Sequence, residues 1–367
     1  MGLIFEQLGK YVRLVDERNI DMVTESVLGI NIDKYFMTSV ANVIGTDLSN
    51  YKLLRKGRFA CNPMHVGRDG RLPVARYTDD APAIVSPAYF MFEIIDENEI
   101  EPEYLMLCFR RPDFDRMCWF RTDASVRGGI TWDDVCALTI PVPSISEQRK
   151  IVHDYQVIID RIELLRKINE NLEEQAYTLF QQAIDGFEKD GVLSDLAVIT
   201  MGTSPEGETM NDVGEGEVFY QGRTDFGFRF PTVRLYTTGA VRRAKCDDVL
   251  MSVRAPVGDI NIAKEDCAIG RGLASIRPKD KCYSFMYYTM KALYYELQRF
   301  NDEGTVFGAI TKDDLANQKV AMLSSADRKT FDNMAKVLDA CICNNEFEVF
   351  ALQALKDNLL SRLAKGA

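Results

Sequence analysis

The sequence predicts a mixed α/β protein in which two globular domains alternate with two long helices. Two observations carry this expectation. The segment Gly128-Gly129-Ile130-Thr131-Trp132-Asp133-Asp134-Val135 returns as Gly308-Ala309-Ile310-Thr311-Lys312-Asp313-Asp314-Leu315, 180 residues along. Each copy is followed by a stretch with apolar residues every three or four positions, the pattern of a helix with one buried stripe. A repeat of this length is a duplicated domain plus helix, since solenoid units are far shorter. The expected organisation is a domain over 1–143, a helix over 144–187, a domain over 188–322 and a helix over 323–367. Each helix alone would leave its stripe in water. The two are therefore expected to pair as long antiparallel coiled-coil helices, with a pseudo-twofold internal repeat and a domain at either end.

The first helix is expected to start at Ser144 and Glu147, which have capping-box spacing. Its stripe reads Ile151, Tyr155, Ile158, Ile162, Leu165, Ile168, Leu172, Ala176, Leu179 and Ala183, and Gly186 is the natural stop. About 40 residues at 1.5 Å rise give roughly 60 Å of helix. The second helix repeats the start with Ser324 and Asp327. Its stripe reads Phe331, Met334, Leu338, Cys341, Asn345, Val349, Leu352, Leu355, Leu359 and Leu363, with Asn345 as a polar residue that fixes register.

In the second domain, Asp248–Arg254 reads as a strand, Ala255–Asp259 as a turn, and Ile260–Ala263 and Gly272–Ile276 as further strands. Phe285, Tyr288, Ala292 and Tyr295 fall on one helical face, with Gly304 beyond it. The first domain carries a corresponding helix around Glu103–Phe109 and a strand around Ala88–Phe92.

Composition bounds the function. The chain has 367 residues, 46% hydrophobic and 27% charged, which is ordinary for a globular protein of two or three domains. No run of about 18 apolar residues predicts a membrane span. The start, Met1-Gly2-Leu3-Ile4-Phe5-Glu6, has neither the basic beginning of a signal peptide nor Ser or Thr at position 6 for myristoylation. Nine cysteines without a repeated C-x-x-C read as free, mostly buried thiols of a cytoplasmic protein. His65 and His153 are the only histidines, too few for a histidine-based catalytic or metal centre. The net charge of -11 argues against nucleic acid unless local patches are basic or a partner supplies the positive charge.

Catalytic motifs are lacking. No phosphate-cradling glycine loop, G-x-S-x-G, H-E-x-x-H or kinase set is present. Asn62-Pro63-Met64 is not the N-P-P-[FY] tetrapeptide of amino methyltransferases, and Pro112-Asp113 lacks the E-x-K of a nuclease. Asp133-Asp134 and Asp313-Asp314 follow Thr131 and Thr311. They read as acids in the first turn of a Thr-capped helix, where the dipole favours them, rather than as catalytic carboxylates.

Basic clusters are the candidate sites. Arg55, Lys56 and Arg58 are followed by Arg68, Arg71 and Arg76. In the second domain Gln221 and Arg223 precede Arg229, Arg234, Arg242, Arg243 and Lys245. Arg and Gln read G and A edges bidentately, while Lys and Arg neutralise phosphates. The plainer reading of these clusters is a solvated surface with acidic neighbours. Arg254 and Arg271 lie in Gly- and Pro-containing turns, where an arginine serves either DNA or nearby backbone carbonyls.

Asp248-Val249-Leu250-Met251-Ser252-Val253-Arg254-Ala255-Pro256-Val257-Gly258-Asp259, with Ala268-Ile269-Gly270-Arg271-Gly272-Leu273-Ala274 after it, resembles the target-recognition domain of type I restriction–modification specificity subunits. Ile140-Pro141-Val142-Pro143 followed by Ser146-Glu147-Gln148-Arg149-Lys150-Ile151-Val152 resembles the start of that family's spacer helix. The order domain, helix, domain, helix matches across essentially the whole chain. The second copy is degenerate, with Val320-Ala321-Met322-Leu323 for the proline pair and Ala326-Asp327-Arg328 for Ser-Glu-Gln. The first domain has Ser86-Pro87-Ala88 near the position of Gly270-Arg271-Gly272, so the two domains are expected to read different half-sites.

The resemblance implies a non-catalytic subunit whose two target-recognition domains each read half of a bipartite site in double-stranded DNA. It implies helices that set the spacer and dock two methyltransferase subunits, with restriction subunits completing the complex. No cofactor is expected on this chain; S-adenosylmethionine, ATP and Mg belong to the partners. Two other functions fit the residues alone: a duplicated protein-interaction scaffold, and a self-sufficient modification enzyme or nuclease. A specificity chain serving a methyltransferase-only or other defence system fits the resemblance equally.

Overall fold

The computed structural model describes residues 4–64, 66–122, 128–301 and 308–365. His65 and Gly304 lie outside them. The chain divides into two compact units, Met1–Ile162 with Ala351–Ala367, and Glu163–Phe350. This division crosses both long helices instead of falling at their ends.

In the first unit a four-stranded antiparallel sheet has the order Val12–Leu14, Phe90–Ile94, Phe59–Cys61, Val74–Arg76. Phe92 lies opposite both Leu14 and Phe59. On one face Phe59, Phe92, Phe109 and Phe114 are buried together, with Phe59 and Phe92 stacked at 5.2 Å between ring centres. Phe109 and Phe114 come from the helices Pro102–Arg110 and Pro112–Phe120.

The second unit builds the same sheet in the same order: Ala197–Met201, Leu273–Pro278, Val249–Ser252, Ile260–Ile262. Ile276 stands where Phe92 stands, opposite Ile199 and Val249. A second, five-stranded sheet carries Glu217–Tyr220 parallel to Cys267–Ile269. The helix Tyr283–Ala292 buries Phe285 and Tyr288 as expected. Tyr295 departs from the expected face and is 86% exposed. The helix ends at Ala292, and the next turn buries Leu293 and Leu297 instead.

The start of each long helix is built alike. Thr131 and Thr311 cap the short helices Trp132–Cys136 and Lys312–Ala316, accepting the Asp134 and Asp314 amides at 3.1 and 3.2 Å. A short strand follows each, Thr139–Pro141 and Lys319–Val320, paired antiparallel with Phe5–Gln7 and Gly191–Val192. Gln148 then donates to the Pro143 carbonyl at 2.9 Å, and Arg328 to the Leu323 carbonyl at 2.5 Å, so one side chain closes each first turn.

The helices run Ile145–Ile184 and Ser325–Lys365. Gly186 has φ +78, the left-handed residue that ends the first. In the first unit, Tyr155 of one helix joins Leu360 and Leu363 of the other in the core. In the second, Phe180 packs on Phe331 at 5.6 Å, and Asn169 meets Glu346. Within each unit the helices therefore run antiparallel.

The expected stripes hold in the first helix and slip in the second. Tyr155, Ile158, Ile162 and Leu165 are buried, and Ile151 and Leu172 half-buried; Ile168 faces outward and Asn169 is inside in its place. In the second helix Leu338, Leu352 and Leu359 are half-buried. Leu355, Met334 and Cys341 are exposed, Leu355 by 52%, so Leu355 is no interface residue. The inner face is Phe331, Ala335, Ile342, Glu346, Val349, Leu360 and Leu363. Polar side chains with partners take inner positions, which moves the apolar residues beside them outward.

Candidate nucleic-acid interface

Each basic residue anticipated in the first domain has an acidic neighbour. Arg55 and Arg58 share Glu17 at 2.8 and 2.6 Å. Lys56 pairs with Asp80, Arg68 with Asp69, Arg71 with Asp33, and Arg76 with Glu103 at 2.5 Å. Arg58 also donates to the Leu53 carbonyl, and both Arg58 and Arg76 are largely covered. The exposed pairs are worth about 0–1 kcal/mol each, so a phosphate can displace the carboxylate.

The second domain separates its cations into three groups. Arg223, Arg234, Arg243 and Lys245 are exposed and paired, with Asp259, Asp225, Glu217 and Asp266. Arg229 is 1% exposed and cannot touch DNA, which corrects the expectation for that residue. Its guanidinium turns inward to Asp339 at 3.1 Å, Glu173 at 3.4 Å and the Tyr288 hydroxyl at 3.2 Å. It lies 4.0 Å over the Tyr287 ring. Burial alone would lower its pKa; the facing phenols and carboxylates reverse this and hold it charged.

The third group gathers at one turn. Arg242 and Arg254 are exposed with no side-chain partner among the described residues, and Arg271 donates only to Ser204 Oγ at 3.1 Å. The segment 269–272 ties them together through the backbone. The Ile269 amide donates to the Arg242 carbonyl at 3.0 Å, the Gly270 amide to Tyr220 at 2.8 Å, and the Val253 amide to the Gly272 carbonyl at 2.9 Å. Gln221 follows Tyr220, and Arg254 follows Val253. A Cβ at Gly272 would fall 2.8 Å from the Gln221 carbonyl, so only glycine lets these strand ends approach. Three arginines and a glutamine are thus presented at the ends of neighbouring strands. These donors suit guanine and adenine edges and phosphates.

The corresponding turn of the first domain is neutral. Ile130 donates to the Pro63 carbonyl at 3.1 Å, as Ile310 does to Val253 at 3.1 Å. Met64 therefore stands where Arg254 stands. Counting back equally from Phe92 and Ile276, Pro87 takes the place of Arg271.

Two supporting residues lie outside the anticipated basic clusters. Asp225, 2% exposed, accepts the Gln221 amide at 2.7 Å and the Gly222 amide at 3.3 Å, and pairs with Arg234. Asn261 accepts the Gly227 amide at 3.0 Å. The Asn261 contact spans 34 residues and only the fold creates it, whereas Asp225 binds amides three and four residues before it, the spacing of a capping box. The thiols match the expectation: Cys61, Cys108, Cys118, Cys267 and Cys282 are buried, and burial pushes Cys108 up to about 12. No helix of the described residues is long and apolar enough to cross a membrane.

The same sheet is built twice, and each copy is followed by a Thr-capped short helix and a long helix. The family model for the type I restriction modification DNA specificity domain matches residues 192–322. The MjaX type I restriction enzyme specificity subunit of Methanocaldococcus jannaschii is 30% identical over 293 residues, covering 74% of this chain and 69% of that protein. The HindI specificity subunit of Haemophilus influenzae is 28% identical over 153 residues, covering 41% of this chain and 32% of the relative. The type I restriction–modification S subunit from M. genitalium shares the fold, with a TM-score of 0.59 at 16% identity over 99% of this chain and 96% of that one. The chain belongs to the type I restriction–modification specificity subunit family. Specificity subunits of these systems are non-catalytic.

Proposed function

We propose that this chain reads a bipartite DNA target, one half-site per target-recognition domain, and docks methyltransferase subunits on its paired helices. The observation that carries the reading is the duplication itself. The same sheet and the same capped helix start are built twice, while the turn at the strand ends differs: Arg254 and Arg271 in one copy, Met64 and Pro87 in the other. Equal scaffolds with unequal turns suit two different half-sites in a pseudo-twofold arrangement. The helices would fix the number of unread base pairs between them.

Two methyltransferase subunits would flip and methylate adenine from S-adenosylmethionine. Restriction subunits would use ATP and Mg. Arg242, Arg254 and Arg271 have no carboxylate partner among the described residues and meet at one turn, so a chain of charge -11 can still present a local basic patch, and partner subunits would supply the remaining positive charge.

Binding of the chain, assembled with its methyltransferase subunit, to duplexes of increasing salt concentration tests the reading. Phosphate contacts require affinity to fall steeply with salt. Salt-independent association, or none, would favour the protein-interaction scaffold.

A further inference from the structure

We infer that Arg229 is a positioning residue, which sets the DNA-facing loop of the second domain against both long helices. The inference rests on the DNA-reading function proposed above. The loop 221–234 carries Gln221 and Arg223 at its start, both exposed. It is held at two places. Near its start, the buried Asp225 carboxylate accepts the amides of Gln221 and Gly222 and pairs with Arg234 at its end. At its middle, Arg229 enters the interior and joins Glu173 of the first long helix to Asp339 of the second.

The neighbouring groups reinforce this junction. The Tyr287 and Tyr288 hydroxyls donate to the same two carboxylates, at 2.8 and 2.9 Å. Phe230 stacks on Phe347 of the second helix. The Arg229 carbonyl accepts the Ile262 amide at 2.9 Å, fixing the loop to the sheet as well. A guanidinium has a planar fork that can span two carboxylates, whereas an ammonium acts at a point. A shift of either helix therefore moves Arg229, and with it the loop bearing Gln221. Arg229 is out of reach of solvent, so its effect on DNA runs only through that loop.

The test uses the full chain assembled with its methyltransferase subunit, comparing wild type, R229K and R229M. Two readouts are taken: base discrimination at each half-site by methylation of target variants, and the salt dependence of duplex affinity. R229M should lose discrimination at one half-site by roughly tenfold, the order of one lost base contact. The other half-site and the salt slope should be unchanged. R229K should recover part of the loss. A salt slope shallower by about 1 would make Arg229 a phosphate contact and overturn the inference. Unchanged discrimination at both half-sites, with only thermal stability lowered, would reduce it to a structural residue. If R229M does not fold, D339N keeps the arginine and nearly the same shape, and the same half-site-selective loss is expected. A wild-type complex that itself methylates no defined sequence would instead refute the function on which the inference rests.

Discussion

Asn169 and Glu346 meet inside the long helix pair, the Asn169 amide donating to the Glu346 carboxylate at 2.9 Å while Asn345 donates to the Asn169 carbonyl oxygen at 2.8 Å. Asn169 is fully buried and Glu346 is 5% exposed. A hydrogen-bonded polar cluster of this kind admits one register, because a slip would strand an amide and a carboxylate without partners.

Burial, offset in part by Asn169, Arg166 and Arg229, holds the Glu346 carboxyl above its usual 4.5. A raised folded pKa means the native state binds the proton more tightly than the unfolded chain. The stability this provides is complete below about 4.5 and is lost as pH rises through the folded value. E346Q should remove that dependence. Thermal melts from pH 4 upward should show wild type losing stability relative to E346Q; parallel curves would contradict the assignment.

The two faces of the helices should respond oppositely to charge. Ile162 is 4% exposed and Leu355 52% exposed. I162D buries an unpaired carboxylate and should cost several kcal/mol. L355D should change stability by no more than about 0.5 kcal/mol. Denaturant midpoints of the two variants decide the matter, and equal losses would return Leu355 to the interface.

An ion pair recurs across the two sheets with its charges exchanged, and only Asp248 of the four groups is fully buried. Asp248, before the strand Val249–Ser252, pairs with Arg277 at 2.7 Å, while Arg58, before Phe59–Cys61, faces Glu93 at 4.0 Å. Asp248 is fully buried and also accepts the Ser275 hydroxyl and the Lys245 amide. D248A should destabilise by about 3 kcal/mol, the low end for a broken buried pair because Arg277 reaches water. A loss under 1 kcal/mol in chemical denaturation would mean the pair is dispensable.

The free and the paired arginines should be separable on DNA. R254A and R271A should each either flatten the salt slope by about 1 or relax one base position. R243A removes a side chain already held by Glu217 and should do less. Titrations of all three variants at several salt concentrations give the ranking. An R243A effect larger than both others would place the interface elsewhere.

Much of this was legible in the sequence. The Thr131 and Thr311 caps, the strands around 250, 260 and 275, and the lengths of both helices follow from local patterns whose causes lie within a few residues. What the sequence concealed were partners brought close only by the fold. Arg58 finds Glu17, Arg76 finds Glu103, and Arg229 finds Glu173 and Asp339. The same cause moved the second helical stripe. Asp339 and Glu346 look like solvent positions until Arg229 and Asn169 arrive, so the sequence pattern alone points Leu355 and Met334 inward. The turn at Arg271 was visible, but not that Arg242, Gln221 and Arg254 converge on it from three other strand ends.

The most direct test of the account is a genome-wide map of methylated bases in cells expressing this chain with its methyltransferase subunit, against cells lacking this chain. The account predicts a new split motif with adenine methylated in both halves, separated by a fixed number of unread positions. An assembled complex that adds no motif, or adds a continuous one, would contradict it.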